Sequence, residues 1–132
     1  KCKAEKKLDS FRAEKTIVNS CLNGLSAIEK KPFCKLFADK KTEERIRKLF
    51  EECYNVLIRK YKLEDFETIR KRMYKNWAKM NHYSSTYQDV ISGRNNEIDF
   101  FNGYIVRLGR KFNMKTEENE SLLRDFRKLV KK

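Results

Sequence analysis

Three polar side chains recur at intervals of four residues near the start of this 132-residue chain: Lys15, Asn19 and Asn23. In a helix, that spacing places them in one slowly drifting stripe beside the apolar face. Asn costs about half a kcal/mol relative to Ala at an interior helical position, so two of them in one helix need a reason. An ammonium group in line with two amides suits an anionic or carbonyl ligand. A solvated helix face explains the same spacing, and spacing alone favours that simpler interpretation.

Two further polar stretches, residues 81–89 and 93–99, interrupt the apolar pattern. Ser85 with Gln88 three residues later has the spacing of a capping box, which predicts that Ser85 caps a helix. In the second stretch, Asn96 is predicted to cap the following helix. Each stretch taken alone therefore has a purely structural explanation.

The elements that must position these residues are helices. Apolar residues step by three and four along most of the chain, and no stretch alternates as a strand does. Four Gly and one Pro are too few for the turns of a barrel or a sandwich. We expect one all-α domain over residues 9–132, preceded by a basic tail or linker remnant in residues 1–8. The expected helices span about residues 10–28, 33–38, 42–61, 65–80, 85–91, 97–112 and 116 onward. The first has Phe11 on its apolar face and Asp9 or Ser10 as its cap. Thr42 is expected to cap the third.

The composition argues against several functional classes. The net charge of +13 is spread along the chain with acidic residues interleaved, which favours solvated helix surfaces over a nucleic-acid footprint. There is no apolar run long enough to predict a membrane span. Four Cys without a C-x-x-C pair and a single His make no zinc set, and they favour a reducing cytoplasm. None of the four glycines belongs to a phosphate-cradling loop.

The polar residues become informative in combination. The sequence contains, in this order, Lys15-x-x-x-Asn19-x-x-x-Asn23, Ser84-Ser85-x-x-Gln88-Asp89 and Gly93-Arg94-x-x-Glu97-Ile98-Asp99-x-x-Asn102-Gly103. This combination resembles the C-terminal helical domain of the ketopantoate reductase (2-dehydropantoate 2-reductase) family over about residues 9–130. The run from Glu97 to Gly103, followed by Val106-Arg107-Leu108-Gly109, is the most specific part of the match.

The resemblance implies an activity and a set of roles. The activity is the NADPH-dependent reduction of 2-dehydropantoate, a small 2-oxoacid, to pantoate, a step toward coenzyme A. Lys15 is implied as the general acid that protonates the developing alkoxide, with Asn19 and Asn23 orienting the substrate and that Lys. Ser85 is implied to bind the carboxylate end and Glu97 the substrate hydroxyl. We also expect Asn23 to face a cleft toward a second domain, exposed to water.

The sequence departs from the family pattern at four positions. Ala13 replaces a usual Trp, Gly24 and Asn95 replace common prolines, and His82 stands where the family often has an Asn near the substrate. His82 is therefore a weak further candidate for substrate binding. The dinucleotide-binding domain expected before residue 9 is absent from this sequence, and NADPH would be bound mainly by that domain. Together with Lys1 as the first residue, this leads us to expect a fragment or a processed chain, inactive alone.

Two alternatives stay open at this stage. A different NAD(P)H-dependent 2-oxoacid reductase would use the same two domains and the same acid–base set. A basic helical module without enzymatic activity, binding nucleic acid or a partner protein, would use the positive charge instead. A homodimer also stays open.

Overall fold

The computed structural model describes the backbone of residues 3–131 and the side chains of residues 9–131. Within residues 3–131 all regular elements are helical, which confirms the predicted all-α class. The elements are α1 (Lys3–Val18), a π-helical segment (Asn19–Asn23), α2 (Gly24–Glu29), α3 (Phe33–Leu36), α4 (Lys40–Leu57), α5 (Phe66–Trp77), α6 (Ser85–Ser92), α7 (Ile98–Lys111) and α8 (Glu117–Val130). No helix in this range is long and apolar enough to cross a bilayer.

The first predicted helix is longer than expected, and its register changes along its length. It begins at Lys3, upstream of the predicted caps, so residues 3–8 of the predicted tail are helical. The π segment is one wide turn inside the otherwise α-helical rod. The fully buried Ile17 lies before it and the fully buried Leu22 lies within it, five residues later. A prediction that assumes uniform α-helical spacing does not include the extra residue of this turn. Phe11, predicted on the apolar face, lies upstream of the π segment and is 64% exposed.

Two helix starts differ from the predicted capping pattern. Asp39, rather than the predicted Thr42, caps α4 and accepts a hydrogen bond from Lys41 N at 2.9 Å. Thr42 is buried inside the helix, where its hydroxyl donates to Glu29 Oε1 at 3.1 Å. Thr116 precedes α8 as predicted, but its side chain makes no cap bond.

Two apolar clusters hold the helices together. The main cluster joins α1, the π segment, α4, α5 and α7, and its largest fully buried side chains include Phe50, Trp77, Ile17, Leu22 and Ile105. The second cluster joins α2, α7 and α8 through Ala27, Ile98, Val106, Leu123 and Phe126. Cys21 and Cys53 are buried free thiols, as their apolar positions predicted. Burial raises the pKa of the Cys21 thiol well above its usual value.

Tyr74 offers a test of the aromatic part of the core. Its ring packs against Phe37 and Trp77, but its buried hydroxyl has no hydrogen-bond partner among residues 9–131. Burial raises the pKa of Tyr74 to about 12. We expect Tyr74→Phe to stabilise the chain by about 1 kcal/mol at pH 7, because it removes an unpaired buried hydroxyl and keeps the ring.

The pH dependence supplies the control for this prediction. Between pH 10 and 12 the unfolded tyrosine loses its proton while the folded one keeps it, so the stability of the parent chain falls with rising pH. Tyr74→Phe lacks this component and should lose less stability over that range. Urea unfolding at pH 7, 10 and 11.5 measures both effects. Equal slopes for the two proteins would contradict the burial of this hydroxyl.

Candidate substrate groove

An open groove of about 820 Å³ lies between α1 and α5. Its apolar wall comes from both helices, and its polar residues include Lys15 and Asn19. The lining residues are Ser10, Phe11, Glu14, Lys15, Val18, Asn19, Lys62, Glu64, Arg72, Met73, Asn76, Trp77 and Met80. An apolar wall with a few convergent polar groups is the usual character of a small-molecule site.

Lys15 brings an unpaired positive charge to this groove. It is exposed in the last turn of α1 and makes no hydrogen bond or ion pair with the other described residues. The neighbouring carboxylates are occupied by one guanidinium: Arg72 Nη2 bonds Glu14 Oε1 at 2.5 Å and Arg72 Nη1 bonds Glu64 Oε1 at 2.8 Å. Because Arg72 is paired with these two carboxylates, the ammonium of Lys15 is available to an anionic or carbonyl oxygen in the groove.

The two asparagines of the polar stripe are in contact, but they have different environments. Asn23 Nδ2 donates to Asn19 Oδ1 at 3.2 Å. Asn19 lines the groove and is half-buried, whereas Asn23 is 7% exposed and does not line it. The expectation that Asn23 faces water is therefore wrong, because the wide turn carries this residue into the interior. Asn19 Nδ2 bonds none of the described residues and can donate to a ligand.

The N-terminus of α6 lies directly against Asn23. Ser84 Oγ donates to Asn23 O at 2.9 Å and accepts from Tyr87 N at 3.0 Å, so Ser84 is the cap. The predicted cap at Ser85 is therefore one residue too late in the chain. Ser84, which is anchored to the π segment, has the extended backbone of a cap. Ser85 is the first residue of α6, exposed, with its hydroxyl free for other partners.

Glu97 and His82 lie in the segments that precede α7 and α6. Glu97 is exposed immediately before α7, whose first residue Ile98 packs against Gly24. The His82 ring is exposed and meets the edge of Phe33 at a centroid distance of 5.0 Å. The structure therefore joins Lys15 and Asn19 in the groove and Asn23 beneath them, while Ser85, Glu97 and His82 lie outside it.

The structure gives reasons for two of the departures from the family pattern. A Cβ atom on Gly24 would lie 3.1 Å from Leu122 Cδ2 and 3.2 Å from Ile98 Cδ1, so a larger residue there needs its neighbours to move. Ala13 is buried in the core cluster. Asn95 is exposed in the turn between α6 and α7, and nothing in the structure explains this residue.

Sequence reasoning missed the α5 side of the groove. Met73 and Trp77 have the helical periodicity of core residues, and they also form the apolar wall. Arg72 binds both acidic residues of the groove. No local signal identifies this role, since Glu14 is 58 residues away in the chain.

The glycines of the described residues do not form a phosphate-binding loop. Gly24, Gly103 and Gly109 lie within helices, and each would bring a Cβ close to neighbouring atoms. Gly93 ends α6 with a φ of 72° and has open space around it. None of them forms a glycine-rich turn that leads into a helix, the arrangement that cradles a pyrophosphate.

Comparison with known proteins places this geometry in a family. The family model described as ketopantoate reductase PanE/ApbA, C terminal, matches residues 7–129. The 2-dehydropantoate 2-reductase of Aquifex aeolicus (strain VF5) is 32% identical over 122 residues, which cover 88% of this chain and 39% of that protein. The chain thus spans about two fifths of the length of this curated relative.

Solved structures show the same relationship. A PanE/ApbA family ketopantoate reductase from Ralstonia eutropha JMP134 superposes with a TM-score of 0.84 at 31% identity, covering 92% of this chain and 41% of that one. A D-mandelate dehydrogenase solved with NADH and anilino(oxo)acetate superposes with a TM-score of 0.79 at 25% identity, covering 90% of this chain and 50% of that one. Because the family model matches nearly the whole length, the chain belongs to the ketopantoate reductase family, in the part that forms its C-terminal helical domain.

Proposed function

We propose that this chain supplies the substrate-side helical domain of an NADPH-dependent 2-dehydropantoate 2-reductase. The observation that carries the proposal is the groove in which the unpaired ammonium of Lys15 lies beside the free amide of Asn19. Family membership supports it, since the curated relative has this activity in its name. In this proposal, NADPH is held mainly by an N-terminal dinucleotide-binding domain, because none of the glycines in the described residues forms a phosphate-cradling turn.

The reaction needs a proton at the site where negative charge develops. Bound NADPH would supply the hydride that the carbonyl carbon of the 2-oxoacid needs. Lys15 Nζ would give a proton to the carbonyl oxygen, so that the C=O group becomes CH–OH. Lys15 is then neutral and regains its proton from solvent, to which it is exposed. Asn19 donates its amide to the substrate, and Asn23 holds the Asn19 oxygen in place.

The remaining candidates take roles at the rim. Ser85 is proposed to bind the substrate carboxylate, supported by its free hydroxyl at the N-terminus of α6, where the helix dipole favours an anion. Glu97 is proposed to hold the substrate hydroxyl, with His82 as a weaker neighbour. None of these three residues lines the groove, so the proposal gives them the part of the substrate away from Lys15.

A different 2-oxoacid reductase is the second candidate. The structural likeness to a D-mandelate dehydrogenase complexed with anilino(oxo)acetate favours it. The apolar wall formed by Met73, Trp77 and Met80 would accept a bulky substituent on the oxoacid. The acid–base chemistry is the same for both candidates, so the substrate and the cofactor separate them.

Steady-state kinetics of the two-domain enzyme test the proposal, with this chain preceded by a dinucleotide-binding domain. We expect kcat/KM for 2-dehydropantoate with NADPH to exceed that for 2-oxo-2-phenylacetate, or that with NADH, by about a hundredfold or more, roughly 2.7 kcal/mol of differential transition-state binding. A preference for the phenyl substrate would favour the second candidate. Calorimetry of the 132-residue chain should show no NADPH binding with a Kd in the low micromolar range or below.

A further inference from the structure

Four buried or half-buried polar residues link the π segment to α4 through α7 and α8. Asn102 Nδ2 donates to Ser20 O and to Asn119 Oδ1, each at 2.9 Å. Asn119 Nδ2 donates in turn to Glu52 Oε1 at 2.8 Å. Ser20, Asn102 and Asn119 are all 0% exposed. We call these residues, Ser20, Glu52, Asn102 and Asn119, the amide relay.

The relay reaches the first helix at its irregular turn. A π turn inserts one residue into the helical ladder, and such turns persist where something outside the helix supports them. Asn102 provides an external donor to the carbonyl of Ser20, the second residue of the π segment. Ser20 is flanked by Asn19, which lines the groove, and it lies three residues before Asn23.

The relay also has a fixed direction. Both protons of Asn102 Nδ2 point at acceptors, and the Asn119 oxygen that receives one of them is oriented because Asn119 Nδ2 is held by Glu52. A carboxylate or an apolar side chain at position 102 cannot make these bonds. The amide of Asn102 is thus placed by α4 and α8, and it fixes the π segment rather than following it.

Burying the amide relay in the core costs folding free energy. Asn102 Oδ1 and Ser20 Oγ are buried and have no hydrogen-bond partner among residues 9–131. A leucine at position 102 would occupy a similar volume without burying an unpaired amide oxygen. Asn102 leaves its own oxygen unpaired, yet hydrogen bonds from its nitrogen hold it in place. Such a locally unfavourable residue points to a role other than packing.

We infer that Asn102 is a positioning residue for the substrate groove: it holds the π turn that presents Asn19 toward the groove and keeps Asn23 beneath it. This inference rests on the proposed function of the groove. It predicts that loss of the Asn102 donor loosens residues 19–25 more than the rest of the fold, and that turnover suffers more than substrate affinity.

Hydrogen exchange of the 132-residue chain tests the structural part by NMR. In Asn102→Leu, amide protection at residues 22–25 should fall at least about tenfold more than in Leu123→Ala, a buried α8 control outside the relay, after correction for global stability. The side-chain amide resonances of Asn19 and Asn23 should shift in Asn102→Leu and stay in place in the control. Uniform loss of protection in both variants would overturn the inference.

A measurement on the unaltered chain covers the case in which Asn102→Leu does not fold. Both Nδ2 protons of Asn102 should exchange at least about a hundredfold more slowly than those of the exposed Asn55, because both are buried and bonded. Equal exchange rates would mean that the bond to Ser20 O does not hold the segment, and this would overturn the inference.

Kinetics of the two-domain enzyme test the functional part. Asn102→Leu should lower kcat by about tenfold or more with KM changed less than threefold, because a small displacement of Asn19 affects alignment more than binding. Leu123→Ala should keep kcat within about twofold at a temperature where both variants are folded. Normal kcat in Asn102→Leu overturns the inference. An enzyme in which Lys15→Ala is fully active, while Asn102→Leu still loosens residues 22–25, refutes the proposed function instead.

Discussion

Lys15→Ala is expected to lower kcat of the two-domain enzyme by about a hundredfold or more, as loss of a general acid does. Arg72 is no substitute, because it is bound to Glu14 and Glu64 and a guanidinium does not release its proton near neutral pH. A hundredfold loss corresponds to roughly 2.7 kcal/mol of transition-state stabilisation. The measurement is steady-state reduction of 2-dehydropantoate at saturating NADPH.

Two further variants sharpen this test. Lys15→Arg keeps the positive charge and should keep KM within a few-fold, but its kcat should remain at least about tenfold low, because the guanidinium is a poor proton donor. Lys75→Ala removes a comparable exposed lysine from α5 that does not line the groove, and should leave both constants unchanged. Turnover of Lys15→Ala within a few-fold of the parent enzyme would return Lys15 to the solvated helix face that its spacing alone suggests.

Glu52→Ala is expected to destabilise the chain by about 3 kcal/mol, because hydrogen bonds to a charged group contribute more than neutral ones. Glu52 caps α8 from outside the helix: Oε2 accepts from Glu118 N at 2.7 Å, and Oε1 accepts from Asn119 N at 3.0 Å. Oε1 also accepts the buried Asn119 Nδ2. Without the carboxylate, the first turn of α8 and a buried amide lose their acceptors together.

Neighbouring and conservative variants provide the controls for Glu52. Glu51→Ala removes an exposed carboxylate from the adjacent position, whose ion pair with Arg47 is 3.9 Å long, and should change stability by less than about 0.5 kcal/mol. Glu52→Gln keeps one acceptor and should lose about 1–2 kcal/mol. Urea unfolding monitored by circular dichroism measures all three. A Glu52→Ala chain as stable as Glu51→Ala would show that solvent replaces the cap without cost.

The sequence by itself determined the helical class, the main helices and the family. The apolar residues of α4, α5, α7 and α8 repeat with the period of a helix over 12 residues or more, and such local signals hold whatever the helices pack against. The Asp65 cap of α5 is equally local, because its acceptor and donor are three residues apart. The joint presence of Lys15 and Asn19 in one groove also follows from spacing along one helix, since the wide turn begins only at Asn19.

The tertiary structure alone decided where the irregular positions lie. The π turn buries Asn23, and its support comes from Asn102, 82 residues from Ser20 in the chain. Ser84 rather than Ser85 caps α6 because its hydroxyl binds the carbonyl of Asn23. Periodicity records which residues share a face of a regular helix, and it carries no information about a donor that arrives from another helix. The environment of Lys15, set by Arg72 on α5, has the same origin in contacts between distant segments.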